Sequence, residues 1–446
     1  MPSYKILRRK YRKFIYSKYS YKISGKDLKI FFNFFIEPDI YFKPSLIVKN
    51  IDKKRFLNID KKIIDNLVFH LGLIEIPSYW KSVCPPEIEI RAGELDKKQL
   101  NWWESLIIKG LGQFFYENEI NWKNKNFIKI LSSGSGVRKY FNAKLKNRYL
   151  IPFAGGRDSI VTLESLKRKY AIGQPAKQDK ISLFTVNPIE KIQKTVKVSG
   201  IKKQIIVKRE IDKKLLELNK KGFLNGHTPF TGVLSFLSVF CAVIFDYKNI
   251  AFSNEKSCDE GNVKYLDSMI NHQWAKSSEF EKMFKKYAKK YLARDINYFS
   301  FLRKYNELEI SEMFAKYPKY FPVFSSCNAG MRINARGSLS SKKRWCNNCP
   351  KCFFVYLTLY PFLNNQELIK IFDQDLFEKK ELLSLLKDLT EKESVKPFEC
   401  VGTKEESLKA LYLSWKKCKK IKKLPFLLEY FEKEILLKSK NFANIN

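Results

Sequence analysis

Between residues 149 and 326 the chain alternates short apolar runs with longer stretches of helical spacing. The runs Tyr149–Phe153, Ile181–Val186, Gln204–Val207, Asn249–Ser253 and Tyr320–Phe324 read as buried strands. Residues 159–170 and 229–245 carry apolar positions at helical spacing between them. Strand and helix in alternation predict an α/β unit built on a doubly wound parallel sheet with crossover helices. The flanks differ. Residues 1–148 combine strand-like alternation from Phe31 to Leu57 with helical spacing over Ile63–Leu71 and Gln99–Tyr116, which predicts an α+β N-terminal domain. Residues 327–446 place Leu, Phe and Tyr at helix spacing and close on a docking helix, Pro425–Leu437, with a frayed tail.

Composition narrows this picture. A chain of 446 residues with 45% apolar positions is long enough for two or three domains with a sizeable core. The stretch between Lys221 and Asp246 has no charge, but its apolar part, Gly232 to Phe245, is too short to span a bilayer. It predicts a buried core helix and no membrane insertion. Lys and Arg interrupt every early apolar run, so no secretory signal is visible. Nine cysteines in such a chain predict a reducing, cytoplasmic setting, where clustered thiols bind metal more often than they pair. The formal charge of +38 is spread along the chain rather than gathered in one stripe, and A/T-rich coding accounts for it as well as a nucleic-acid partner does. No nucleic acid is expected, although a basic surface favours polyphosphate ligands. The densest cluster, Arg8, Arg9, Lys10, Arg12 and Lys13, reads as a solvated terminal arm.

Candidate chemistry begins where the first strand of the α/β unit ends, in Phe153-Ala154-Gly155-Gly156-Arg157-Asp158-Ser159. Strand, glycine turn and helix start aim backbone N–H groups at a phosphate. Asp158 can hold a metal ion or a water, and Ser159 can add a hydroxyl donor. The spacing fits neither a Walker A loop nor a dinucleotide fingerprint. A second signal is Cys346-x-x-Cys349-x-x-Cys352, with Cys327 upstream and Cys400 as a reserve fourth ligand. A two-residue gap lets two thiolates reach one ion, so a structural zinc is expected, with an iron–sulfur cluster as the lesser reading. Cys84, Cys241, Cys258 and Cys418 are isolated and default to packing. Polar islands supply the third signal: His227 in Asn-Gly-His-Thr-Pro, His272 in Asn271 to Ser277, and Ser253-Asn254-Glu255-Lys256-Ser257 directly after a strand. Phe299–Arg303 and Lys396–Gly402 are weaker. His70 lies on an apolar helix face and defaults to core, as do the aromatics Trp102, Trp103, Phe114, Phe115 and Tyr116.

The Gly-Gly-x-Asp-Ser core resembles the PP-loop of ATP pyrophosphatases, whose members split ATP between its α and β phosphates. Their common form starts with Ser where this chain has Ala154, and Arg157 stands where many have Lys. The order of motifs as a whole resembles the UDP-N-acetylmuramoyl-L-alanyl-L-glutamate epimerases of bacterial peptidoglycan synthesis. The resembling pieces are His70-Leu71-Gly72 with Ser78 to Lys81, Pro152 to Ser159, Asn225-Gly226-His227 and Ser253-Asn254-Glu255. They continue through Asn271 to Trp274, Ser326-Cys327-Asn328, Trp345 to Cys352, and Lys396 to Gly402. The resemblance implies a fold of the PP-loop type, a UDP-linked muramoyl dipeptide substrate, and ATP with Mg²⁺. It implies inversion of the terminal L-glutamate with release of AMP and pyrophosphate. On that reading Ala154, Gly155, Gly156, Arg157, Asp158 and Ser159 hold ATP. Asn254 and Lys276 contact substrate, and His227, His272 and Glu255 are the acid–base candidates. The cysteines are also similar to those of 7-cyano-7-deazaguanine synthases, which carry a structural zinc, and that role passes to Cys327, Cys346, Cys349 and Cys352.

Two other readings compete. A PP-loop tRNA-modifying enzyme of the thiolation type suits the charge and the cysteines but needs a reactive thiol. A non-catalytic, zinc-containing nucleic-acid-binding protein leaves the Gly-Gly turn and the polar islands without a purpose. The sequence leaves oligomeric state and the role of residues 1–148 open.

Overall fold

The computed structural model describes residues 3–133, 138–171, 180–330, 343–391, 394–419 and 423–437. One large sheet organises the protein. Its strands in chain order are β1 (Lys13–Ser24), β2 (Asp27–Ile36), β3 (Ile40–Phe42), β4 (Ser45–Val48), β5 (Glu87–Ile90), β6 (Lys129–Ser132), β7 (Tyr149–Pro152), β8 (Ile181–Val186), β9 (Gln204–Glu210) and β10 (Asn249–Phe252). A small hairpin follows, β11 (Val263–Tyr265) with β12 (Ser268–Ile270), and then the last sheet strand, β13 (Asn297–Ser300). The sheet order is β13-β10-β7-β8-β9-β4-β2-β1-β5-β6, with β3 beside β2.

Five neighbouring strands, β13 to β9, run parallel. From β7 the chain steps outward to β8 and β9, then returns to β10 and β13 on the other side. The direction of winding therefore reverses between β7 and β10, which is where open α/β sheets place a crevice at the carboxyl ends of their strands. The sheet continues through antiparallel β9–β4, β4–β2 and β2–β1 pairs into parallel β1–β5–β6. Strands from both sides of residue 148 thus share one hydrogen-bonded sheet.

The period-2 rule explains how the sheet is buried on both faces. Leu150, Phe184 and Ile250 point into one core, and their neighbours Ile151, Leu183 and Ala251 into the other. The helices Phe230–Phe245 and Ser278–Tyr287 close the first face. The helices Arg157–Ala171 and Glu190–Ser199 close the second, together with the helical C-terminal region. The first core also takes in the Lys61–Trp80 helix, seventeen of whose residues are buried. Gly72 on that helix lets Tyr16 of β1 approach, since a Cβ there would lie 2.0 Å from the Tyr16 hydroxyl.

Several expectations need correction. Tyr320–Phe324 is not a strand: it follows a 3₁₀ turn at Pro318–Tyr320, and the fifth parallel strand is Asn297–Ser300. Pro322 inside the apolar run has no N–H to give a sheet ladder. The strand-like region from Phe31 to Leu57 ends in a short helix, Lys53–Leu57, capped by Asp52. The basic arm is solvated only in part: Arg9, Lys10 and Arg12 are exposed, and Arg8 and Lys13 are half-buried. Tyr4–Lys10 is helical, Arg8 donates 2.5 Å bonds to the Cys84 and Phe127 carbonyls, and Lys13 opens β1. The C-terminal docking helix is Phe426–Tyr430 continued by a π-turn over Phe431–Leu436, and the tail expected beyond it lies outside the described residues. Among the described residues, no helix is long and apolar enough to cross a membrane.

Candidate active site

β7 ends at Pro152 and the helix Arg157–Ala171 begins five residues later. Gly155 makes the turn at φ 73°, where an L side chain is strained, and a Cβ there would sit 3.1 Å from Thr195 Oγ1. The turn is pinned from the C-terminal side. Ser325 N donates to Gly155 O at 3.2 Å, and Arg157 N donates to Ser326 Oγ at 3.3 Å. A cavity of about 250 Å³ opens at the switch point, lined by Ala154, Gly156, Asp158 and Ser159 on one side and by Ser253, Asn254 and Lys276 on the other. The buried Ser253 Oγ has no protein partner.

Not every residue of the turn faces that cavity. Ser159 Oγ donates to Gly156 O at 3.0 Å. Arg157 is 1% exposed and points into the second core. Its guanidinium donates to Asp158 Oδ1 and Ser311 Oγ at 2.8 Å and to Thr358 Oγ1 at 3.1 Å, and it pairs with Glu307. Burial works against the Asp158 carboxylate, but the charges of Arg157, Lys351 and Lys276 outweigh it and hold Asp158 below the usual carboxylate range.

The two polar-island histidines meet. Their ring centroids are 4.6 Å apart at an interplanar angle of 59°. Lys81, at the end of the long apolar helix, holds the His227 loop by donating to Gly226 O and, at 2.8 Å, to Thr228 Oγ1. His272 Nδ1 donates to Gln113 Oε1 at 2.5 Å, and its backbone N–H to Asn262 Oδ1 at 2.8 Å. Burial, then the charges of His272, Lys81 and Lys276, push His227 well below the ordinary histidine range. Burial and the Arg209 charge push Lys81 down to about 8, against the pull of Glu117.

Arg303 ties the remaining loops together. It donates to Glu255 O at 2.8 Å and to Lys276 O at 2.6 Å, so the strand-end Asn254-Glu255 loop and the Lys276 loop share one clamp. Glu255, 3% exposed, accepts from Cys258 Sγ at 3.0 Å. Lys276 Nζ donates to Cys400 Sγ at 3.0 Å. Cys400 is therefore at this site and not in the metal cluster, where it stood as a reserve ligand. The segment Lys396–Gly402 packs against His272, with Asn262 Nδ2 on Pro397 O at 2.9 Å and the Phe398 ring 6.4 Å from the His272 ring. Gln113 and Glu307 escaped the sequence reading: each lies in a short helix with other polar residues, and nothing local marks it out.

Cys327, Cys346, Cys349 and Cys352 converge, with all four sulfurs within 4.8 Å of one another and Sγ separations of 3.4 Å (Cys349–Cys352) and 3.6 Å (Cys346–Cys352). A tetrahedron with metal–sulfur bonds of about 2.3 Å puts sulfurs about 3.8 Å apart, so the donor set and its spacing suit zinc. Thiol hydrogen bonds from Cys349 and Cys352 pull Cys327 toward the thiolate, while that same bond pushes Cys352 up. A divalent cation would relieve that conflict. Cys349 also caps the Pro350–Leu359 helix, whose Thr358 receives Arg157, and Cys327 follows the two serines that pin the Gly-Gly turn. The cysteine centre thus braces the turn from two directions.

These features define a mixed α/β protein with a cavity at the switch point of its parallel strands, a histidine pair within reach of the Lys276 charge on its wall, and a cluster of four thiols. The family model described as the MurL N-terminal domain matches residues 5–301, and that of the MurL C-terminal domain matches residues 323–436. The UDP-N-acetyl-alpha-D-muramoyl-L-alanyl-L-glutamate epimerase of Xanthomonas oryzae pv. oryzae is 32% identical over 76% of this chain and 72% of its own length. A protein of the same name from a Micromonospora species is 33% identical over 75% of this chain and 72% of its own length. The chain belongs to the MurL family.

Proposed function

We propose that the protein inverts the terminal L-glutamate of UDP-N-acetylmuramoyl-L-alanyl-L-glutamate to D-glutamate in peptidoglycan biosynthesis, with ATP consumed to AMP and pyrophosphate. Family membership supports the reaction. The observation that carries the residue-level reading is the cavity where the glycine turn meets Asn254 and Lys276, with a tilted histidine pair near enough for the Lys276 charge to act on His227.

The chemistry explains why these parts belong together. A Cα–H beside a carboxylate is very weakly acidic, because its removal would build a dianion. Joining the carboxylate to AMP removes one charge and makes an enolate accessible. The backbone of Ala154 to Gly156 and the start of the Arg157–Ala171 helix would receive the phosphates of an ATP of PP-loop type. Asp158, kept ionised, would hold Mg²⁺, which supplies charge neutralisation on phosphate oxygens. Lys276 and Asn254 would hold the substrate. His227, neutral at physiological pH, can take a proton, with His272 and Glu255 as its companions. Zinc on the four cysteines would act structurally, by fixing Ser325 and Ser326 against the turn.

The test is incubation with ATP, Mg²⁺ and the L-glutamate dipeptide nucleotide, followed by chiral analysis of the glutamate and assay of AMP and pyrophosphate. D-glutamate formed with stoichiometric pyrophosphate supports the reading. A protein that neither cleaves ATP nor inverts glutamate in this mixture overturns it.

A further inference from the structure

We propose that Cys400 is a second acid–base group of this site, serving the face of the glutamate Cα opposite the histidine pair, with the Lys276 ammonium holding its sulfur in place. This rests on the epimerisation reading above. Inversion at carbon needs a proton removed from one face and delivered to the other. His227 and His272 are in ring contact at 4.6 Å and act as one unit on one side. Another group is needed across the carbon.

Cys400 has the surroundings of a working thiol. Cys84, Cys241, Cys258 and Cys418 are buried, and Cys258 donates its S–H to Glu255. Cys400 is only partly buried, and its sulfur accepts from Lys276 Nζ at 3.0 Å. A cation beside a partly accessible sulfur is the setting in which cysteines react. Lys276 also lines the cavity at the Gly-Gly turn, so one side chain links that space to the Cys400 sulfur. Burial opposes the Lys276 charge, and the Cys400 and Cys258 sulfurs and the Glu255 carboxylate outweigh it, which keeps the side chain an ammonium with protons to donate.

The loop that carries Cys400 is held on several sides. Pro397 O receives Asn262 Nδ2, Lys396 Nζ pairs with Glu260 Oε2 at 3.0 Å, and Glu399 Oε2 receives Lys351 N at 3.1 Å. Phe398 places the same loop against His272. One short segment thus reaches His272 through Phe398 and Lys276 through Cys400.

The step balances without any added reagent. The neutral imidazole takes the Cα proton, so an N–H bond forms as the C–H bond breaks, and the electron pair enters the enolate of the activated carboxyl group. The Cys400 S–H then breaks as a new C–H bond forms on the other face, and the sulfur keeps the electron pair beside the Lys276 ammonium. Sulfur and nitrogen exchange their protons with water before the next turnover, and the reverse reaction uses them in the opposite order.

Two measurements test this. The first compares wild type and Cys400→Ala, with ATP and either epimer of the dipeptide nucleotide in D₂O. Wild type should invert and exchange both epimers. The variant should lose at least about 100-fold in inversion, the lower bound for an acid–base group, and retain Cα exchange for one epimer only. Inversion within a few-fold of wild type, or equal exchange of both epimers, overturns the proposal. The second is peptide-mapped alkylation by iodoacetamide without any substrate. Cys400 should react at least about 10-fold faster than Cys258, and Lys276→Met should remove most of that advantage. A Cys400 that reacts no faster than Cys258 overturns the proposal whatever the variant's activity. A wild-type protein that ignores ATP would sink the epimerase reading and would leave the alkylation result standing, so the two failures are separable.

Discussion

The rings of His227 and His272 lie 4.6 Å apart although they belong to loops on either side of β10. Different neighbours place them: Lys81, through Gly226 and Thr228, sets the first, and Gln113 sets the second. Burial and then the neighbouring His272, Lys81 and Lys276 charges push His227 well below the ordinary histidine range, so this ring is neutral near pH 7. That is a useful property for a group that must both accept and return a proton.

His227→Ala and His272→Ala should each lower glutamate inversion by at least about 100-fold while leaving ATP-dependent pyrophosphate release measurable. Chiral analysis and pyrophosphate assay on the same samples check this. Full solvent-deuterium exchange at Cα from both epimers in both variants would remove the pair from the chemistry.

Arg157 shows how a residue can sit in the Gly-Gly turn and yet face away from its cavity. Its charge is spent on Asp158 and Glu307 in the second core, where Glu307 is 0% exposed. Arg157→Ala would strand a buried carboxylate, a change that costs about 3–5 kcal/mol. Urea denaturation should report that loss, and Arg157→Met combined with Glu307→Leu should recover most of it. A loss below about 1 kcal/mol for Arg157→Ala would mean the network is not holding the turn.

The four-thiol centre predicts one zinc per chain by elemental analysis. Cys349→Ala removes both a thiol of the centre and the cap of the Pro350–Leu359 helix. It should abolish stoichiometric zinc, lower the melting temperature and weaken ATP binding, because Ser325 and Ser326 lead directly into Cys327. Zinc absent from wild-type protein prepared without chelators would refute the assignment.

What was legible in the sequence follows from how local each signal is. β8 is bounded by turn residues and was read to the residue; β7 and β10 were each read one residue too long. Tyr320–Phe324 has the same apolar density, but Pro322 denies it a ladder, and those side chains are buried by a turn instead. β1 was missed because its outer half alternates Lys, Tyr and Ser over a half-buried face. The polar islands marked His227, His272, Asn254 and Lys276 as candidates, and the structure brings the two rings together and puts Asn254 and Lys276 on one cavity. The direction of Arg157 could not be read, because it is decided by Glu307, Ser311 and Thr358, far along the chain. Cys400 likewise looked like any cysteine near a metal cluster until Lys276 was seen beside it.

His70 makes stability depend on pH in a direction that can be worked out. Asn66 O, at 2.8 Å, can only accept, so Nδ1 carries the hydrogen. Nε2 then accepts from the Tyr287 hydroxyl at 2.9 Å, whose oxygen in turn accepts from Trp103 Nε1 at 2.9 Å and Gln99 Nε2 at 3.1 Å. Every partner is matched to a neutral ring, and burial lowers its pKa to about 3 from the ordinary 6.5. The unfolded chain takes up the proton first. The stability this provides is complete above pH 6.5 and is lost progressively as pH falls from 6.5 toward 3. From pH 7 to pH 5 the loss should be about 2 kcal/mol from this residue. Urea denaturation at the two pH values, in wild type and His70→Gln, isolates the contribution: the variant should lose about 2 kcal/mol less over that interval. Equal losses in the two proteins would show that the ring is charged in the folded state, and the network around Tyr287 would then need the opposite assignment of donors.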